Sequence, residues 1–141
     1  MIVYFDTSAY VPLLIAEASS AAVRELWDLA DGVCSSDILR VEASAALGRA
    51  ARLGRLDERS APWFARRISE DMERFTLISV DKEIVHAASA AAWTTGLRAY
   101  DLVHFATAMA LTGDDLVAAS GDKELLAAWS DAGLTVIDTA P

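Results

Sequence analysis

The sequence predicts an α/β fold of three layers, with a parallel sheet of about five strands between helices. Three observations predict it. Short apolar runs alternate with helix-period segments from end to end. The runs are apolar throughout, as strands covered on both faces are. No repeat, linker or low-complexity tract divides the 141 residues, so residues 1–141 read as a single domain long enough to bury a real core.

In chain order, residues 2–5 form the first strand, and residues 7–16 and 19–30 follow as helices. Val23, Leu26, Trp27 and Ala30 recur at helical spacing in the second of these. Residues 32–35 make a second strand. Asp37 then stands as an N-cap for a helix over 38–53. Gly54 separates that helix from one over 57–74. Residues 76–80 form a third strand, after which Asp81 caps a helix running to Thr94 and ended by Gly96. A helix over 100–111, a strand over 116–119, a helix over 122–132 and a strand over 135–137 complete the chain.

The bulk numbers narrow the function. With 54% hydrophobic and 23% charged residues, the chain is globular. Its net charge of −9 argues against gripping nucleic acid by overall electrostatics. It suits a soluble enzyme, a partner for a basic protein, or a site that gathers carboxylates around metal ions. The single cysteine, Cys34, reads as a small buried hydrophobe and favours a reducing, cytoplasmic setting. The N-terminus has no basic segment and its apolar run breaks at Asp6, unlike a secretory leader. The longest stretch without Asp, Glu, Lys or Arg, residues 84–97, is too short to span a membrane.

Four acids carry the chemistry. Ligands of open parallel sheets sit beyond the carboxyl ends of strands, near the point where strand order reverses. Asp6 follows the first strand directly, and Asp122 follows the fourth after Ser120 and Gly121. Each either caps the next helix or belongs to a site. Glu42 has Ile38, Leu39, Ala45 and Ala46 as its three- and four-apart neighbours, so it shares an apolar face. There it needs a metal or a partner such as Arg49 or Arg52. Asp101 opens a helix with no other acid, as cap or as site residue. Four carboxylates that converge repel one another and demand a cation. Oxygen ligands suit Mg²⁺ or Mn²⁺, with the hydroxyls of Thr7, Ser8 and Ser120 in support. Such an ion activates a water and balances charge on a phosphodiester.

These segments are "YFDTSAYVPL", "SSDILRVEASAAL", "LRAYDLVHFATAMAL" and "LVAASGDKELLAAW". In this order and spacing the chain resembles a PIN domain, specifically a VapC-type toxin ribonuclease of bacterial toxin–antitoxin modules. The resemblance covers essentially the whole chain. It implies a PIN-like sandwich and a Mg²⁺- or Mn²⁺-dependent endoribonuclease that cuts RNA with a metal-activated water. It also implies a homodimer, and inhibition by a cognate antitoxin. Asp6 and Asp101 would be direct ligands. Glu42 would complete the shell or orient the water, and Asp122 would hold a second ion or an outer-sphere water. Ser120 is a mild departure, because family members often carry Thr there.

Other features are weaker. Arg49, Arg52 and Arg55 form a three-spaced stripe that either contacts RNA phosphates or is a solvated helix face. Arg98 and Lys123, beside the two later acids, are lesser phosphate candidates. His104, one turn after Asp101, reads as structural. Trp27, Trp63, Trp93 and Trp129 read as core or dimer packing. Two alternatives stand beside the nuclease: a non-catalytic protein-binding module, and an acidic phosphoacceptor domain that would use Asp81 after the third strand.

Overall fold

The computed structural model describes every residue of 1–141 except Thr112 and Asp114. The strands are β1 (Ile2–Phe5), β2 (Gly32–Ser36), β3 (Phe75–Ile78), β4 (Leu116–Ser120) and β5 (Thr135–Asp138). The helices are α1 (Thr7–Leu14), α2 (Ser20–Leu29), α3 (Leu39–Arg52), α4 (Ala61–Met72), α5 (Lys82–Thr95), α6 (Ala99–Ala110) and α7 (Lys123–Asp131). The sheet runs in the order β3-β2-β1-β4-β5, and every pairing is parallel. The expected α/β sandwich is therefore the observed one.

Side-chain alternation along β1 divides the core. Val3 and Phe5 point into one cluster, with Tyr10, Val23, Trp27, Leu39, Ile68 and Phe75 from α1–α4 and β3. Tyr4 points the other way, among Ile84, Leu102, Leu125 and Trp129 from α5–α7. Cys34 joins this second cluster at 3% exposure, and burial pushes its thiol up to about 11. Trp27 and Trp129 are core residues. Trp63 and Trp93 are not, being 50% and 92% exposed.

Several local expectations are corrected. The helix predicted over 57–74 is a 3₁₀ turn at Glu58–Ser60 followed by α4. Pro62 lies in the first turn of α4, where its missing N–H costs nothing; inside a helix begun at Asp57 it would break the ladder. Asp57 caps the 3₁₀ turn through Arg59 N–H. Asp37 caps nothing: its N–H donates to the Ile78 carbonyl, and α3 begins after Ile38 with no side-chain cap. The first helix stops at Leu14, and Ser20 Oγ donates to the carbonyls of Pro12 and Ile15. β3 begins one residue early because Phe75 packs against Phe5, Tyr10 and Trp27. Coverage of both faces holds for the inner strands apart from Ile2 at the start of β1; Thr76, Thr135 and Asp138 on the edge strands are exposed.

Candidate active site

The chain steps outward from β1 to β2 and β3, then returns to lay β4 on the other flank of β1. The crevice beyond β1 and β4 is thus the reversal point at which such sheets bind ligands. Asp6 and Asp122 stand at its two sides, each as the N-cap of the helix that leaves it. The two readings left open by the sequence, cap and rim acid, describe the same residues.

Asp6 is 4% exposed. Its Oδ1 accepts from Ala9 N–H at 2.9 Å and from Ser8 Oγ at 2.8 Å. Its Oδ2 accepts from Ser8 Oγ at 2.9 Å and Ser120 Oγ at 2.8 Å. Burial raises this carboxyl above its ordinary value, opposed by these donors. Ser8 and Ser120 are themselves fixed, accepting from Gly121 N–H and Asp122 N–H.

Asp101 lies in the first turn of α6 but is not its cap; that position is Arg98, whose Nε is 3.5 Å from Asp101 Oδ2. Burial raises the Asp101 carboxyl, and the negative charge of Asp122 raises it further. Asp122 Oδ1 caps α7 through Glu124 and Leu125 N–H, while its Oδ2 accepts no hydrogen bond among the described residues. An open cleft of about 550 Å³ beside Asp122 is lined by Arg98, Gly121, Lys123 and Glu124.

Glu42 lies on the rim of the buried stripe of α3, which is Leu39, Ala43, Leu47 and Ala50. Ala45 is exposed, so the fully apolar surroundings inferred from spacing are not found. Neither Arg49 nor Arg52 partners it. Thr7 Oγ1 donates to Glu42 Oε2 at 2.7 Å, and His104 Nε2 lies 2.7 Å from the same oxygen. His104 is 2% exposed, with Nδ1 at 2.8 Å from Tyr4 Oη. It is structural in being buried, yet it also contacts a predicted site acid. The i, i+3 spacing from Asp101 was a usable signal for it; nothing in the sequence marked Tyr4.

All three supporting hydroxyls touch an acid, Ser8 and Ser120 at Asp6 and Thr7 at Glu42. Arg49 and Arg52 are exposed and in no ion pair among the described residues; Arg49 lies two turns, about 10 Å, along α3 from Glu42. Among the described residues, no three His, Cys, Asp or Glu side chains converge closely enough to hold a metal ion as they stand. The donor chemistry nonetheless fits a hard divalent cation. The donors are carboxylate oxygens, Asp6 is desolvated, and Asp101 and Asp122 repel each other.

The phosphoacceptor alternative loses its geometry. That arrangement sets the third strand beside the first, whereas here β2 lies between them and β3 is an edge. Asp81 is committed to capping α5 through Glu83 and Ile84 N–H.

A parallel α/β sandwich with Asp6 and Asp122 at the two sides of the β1–β4 crevice defines the class. Within that class, the chain belongs to the PIN domain family, whose model matches residues 3–128. It is 38% identical over 140 residues to Ribonuclease VapC45 and to Ribonuclease VapC49, from two strains of Mycobacterium tuberculosis; the match covers 96% of this chain and 94% of each relative. Among solved structures it shares its fold with FitAcB from Neisseria gonorrhoeae (TM-score 0.71, 20% identity, 99% and 98% of the two chains). It also shares it with PAE2754 from Pyrobaculum aerophilum (0.67, 24%, 99% and 90%) and VapBC-1 from nontypeable Haemophilus influenzae (0.64, 19%, 99% and 98%).

Proposed function

We propose that this chain is a divalent-metal-dependent endoribonuclease acting as the toxin of a toxin–antitoxin pair. The observation that carries the reading is its 38% identity, across 96% of its length, to two ribonucleases. The desolvated Asp6 beside the β1–β4 crevice gives that likeness a chemical basis. Asp6 and Asp101 would hold the ion, with Glu42 and Asp122 completing the set. Bound there, Mg²⁺ or Mn²⁺ supplies an acidified water and charge balance for the phosphodiester. The chain's own groups help to orient the acids: Ser8 and Ser120 fix Asp6, and Thr7 donates to Glu42. Arg49 and Arg52 offer positive charge to RNA on an otherwise acidic protein.

The partner is a cognate antitoxin. An apolar recess of about 180 Å³ between α3 and α4, lined by Leu47, Gly48, Ala51, Leu56, Phe64 and Ile68, suits an apolar segment of that protein. The exposed Trp63 and Trp93 suit a homodimer. No helix among the described residues is long and apolar enough to cross a membrane, and the buried free thiol of Cys34 agrees with a cytoplasmic setting. The test is cleavage of total RNA with Mg²⁺, with EDTA, and by Asp6→Asn. Metal-dependent 5′-phosphate ends present only with wild type are expected. Equal cleavage by Asp6→Asn defeats the proposal.

A further inference from the structure

Three elements meet at one oxygen atom, and a fourth stands behind them. Glu42 Oε2 on α3 is approached by Thr7 from the start of α1 and by His104 from α6, and His104 in turn is held by Tyr4 of β1. Tyr4 and His104 are both buried, their rings packed edge to face with centroids 5.9 Å apart; Trp129 also packs edge to face on Tyr4, at 5.7 Å.

The hydrogens of this chain are fixed by what each group can offer. A carboxylate only accepts, so the 2.7 Å contact between His104 and Glu42 requires the proton on Nε2. In the tautomer with that proton on Nε2, Nδ1 is the ring's acceptor, and the Tyr4 hydroxyl donates to it at 2.8 Å. The order is Tyr4 O–H to Nδ1, then Nε2–H to Glu42 Oε2. Thr7 supplies a second donor to Oε2. Glu42 Oε1 accepts nothing among the described residues.

We infer that Tyr4 and His104 are positioning residues that lock the Glu42 carboxylate by its Oε2 and leave Oε1 as the single oxygen free to take a divalent ion or its water. The inference rests on the proposed role of Glu42 in a metal site. A half-buried glutamate on a helix rim otherwise samples several rotamers, and fixing a ligand through its second oxygen is how supporting shells sharpen metal affinity. Thr7 alone cannot do this, since one rotating hydroxyl leaves the carboxylate free to swing.

The experiment compares wild type, His104→Leu, His104→Gln and Tyr4→Phe. MnCl₂ is titrated into the RNA-free protein by calorimetry, and the His104 ring nitrogens are read by ¹⁵N NMR in the metal-free protein. Wild type is expected to show protonated Nε2 and acceptor Nδ1. His104→Leu should lose about tenfold or more in Mn²⁺ affinity. His104→Gln, whose amide N–H replaces Nε2–H, should recover to within about threefold of wild type, and Tyr4→Phe should fall between. Wild-type Mn²⁺ affinity in a folded His104→Leu overturns the positioning role. If His104→Leu does not fold, unchanged affinity and unchanged nitrogen shifts in Tyr4→Phe overturn it instead. A wild type that takes up no Mn²⁺ defeats the metal reading itself, a different outcome from an indifferent His104.

Discussion

Ser120 Oγ lies 2.8 Å from Asp6 Oδ2, a hydrogen bond that ties the end of β4 to the end of β1 across the site crevice. Because Ser120 Oγ also accepts from Asp122 N–H, one hydroxyl couples two of the acids. Asp6 is therefore a hydrogen-bonded but desolvated carboxylate, with consequences for stability as well as chemistry.

Asp6→Asn separates the two. The folded state holds the Asp6 proton more tightly than the unfolded chain does, since burial raises its carboxyl. Its contribution to stability is complete below the ordinary carboxylate value, about pH 4, and is lost as pH rises through the raised folded value. Asp101, shifted the same way, adds to that slope. Asn removes the charge and remains a good N-cap for α1. In EDTA at pH 7, calorimetry should find the melting temperature of Asp6→Asn equal to or above wild type, the gap closing toward pH 4, while RNA cleavage disappears. A melting temperature several degrees below wild type at pH 7 would show that the ionised carboxylate stabilises the fold.

Asp122 tests cap against site. Its Oδ1 receives Glu124 and Leu125 N–H, so Asp122→Ala should cost about 1 kcal/mol, near 3 °C in a chain of this size. Asp122→Asn keeps the cap and should melt within a degree of wild type. Both should lose most cleavage. Full activity in the Asn variant would reduce Asp122 to a cap.

The architecture was legible because its signals are local. Apolar runs at 2–5 and 116–119 alternate with helices bounded by Asp81, Gly96 and Asp122, and these elements are found, the fourth strand one residue longer. Asp6 and Asp122 were legible as rim acids because a parallel sheet puts the residue after each strand at one edge. What stayed hidden depends on packing between distant elements. Spacing could not show that Asp37 serves β3 rather than α3, nor that Ala45 faces solvent. The partner of Glu42 lies 62 residues away on α6, so the nearer Arg49 and Arg52 were the visible candidates. Tyr4 reads as an ordinary core strand residue until His104 is folded against it.

Arg49 and Arg52 are free to meet phosphate, and salt reports it. In an Asp6→Asn background, which prevents cleavage, anisotropy with single-stranded RNA should give a log–log salt slope. Replacing both arginines by Gln should lower that slope by about 1.4, two phosphate contacts at about 0.7 each. Mn²⁺ affinity should not move, as Arg49 stands about two turns from Glu42. An unchanged slope assigns the arginines to the solvated face.

Gly48 tests the recess between α3 and α4. It is a helical glycine with an ordinary backbone, and a Cβ there would meet only the Arg52 guanidinium, at 3.5 Å. Ala should therefore stabilise α3 by about 0.5–1 kcal/mol, seen as a melting temperature raised by about 2–4 °C. Leu at the same position extends a larger side chain beside Leu47, Ala51 and Phe64 and fills the space an antitoxin segment would enter. Gly48→Leu should cleave RNA at the wild-type rate, because the recess is separate from the acids. Co-expressed with its cognate antitoxin, it should still arrest growth, whereas wild type and Gly48→Ala should be neutralised. Neutralisation of Gly48→Leu as complete as that of wild type would move the docking surface off this recess.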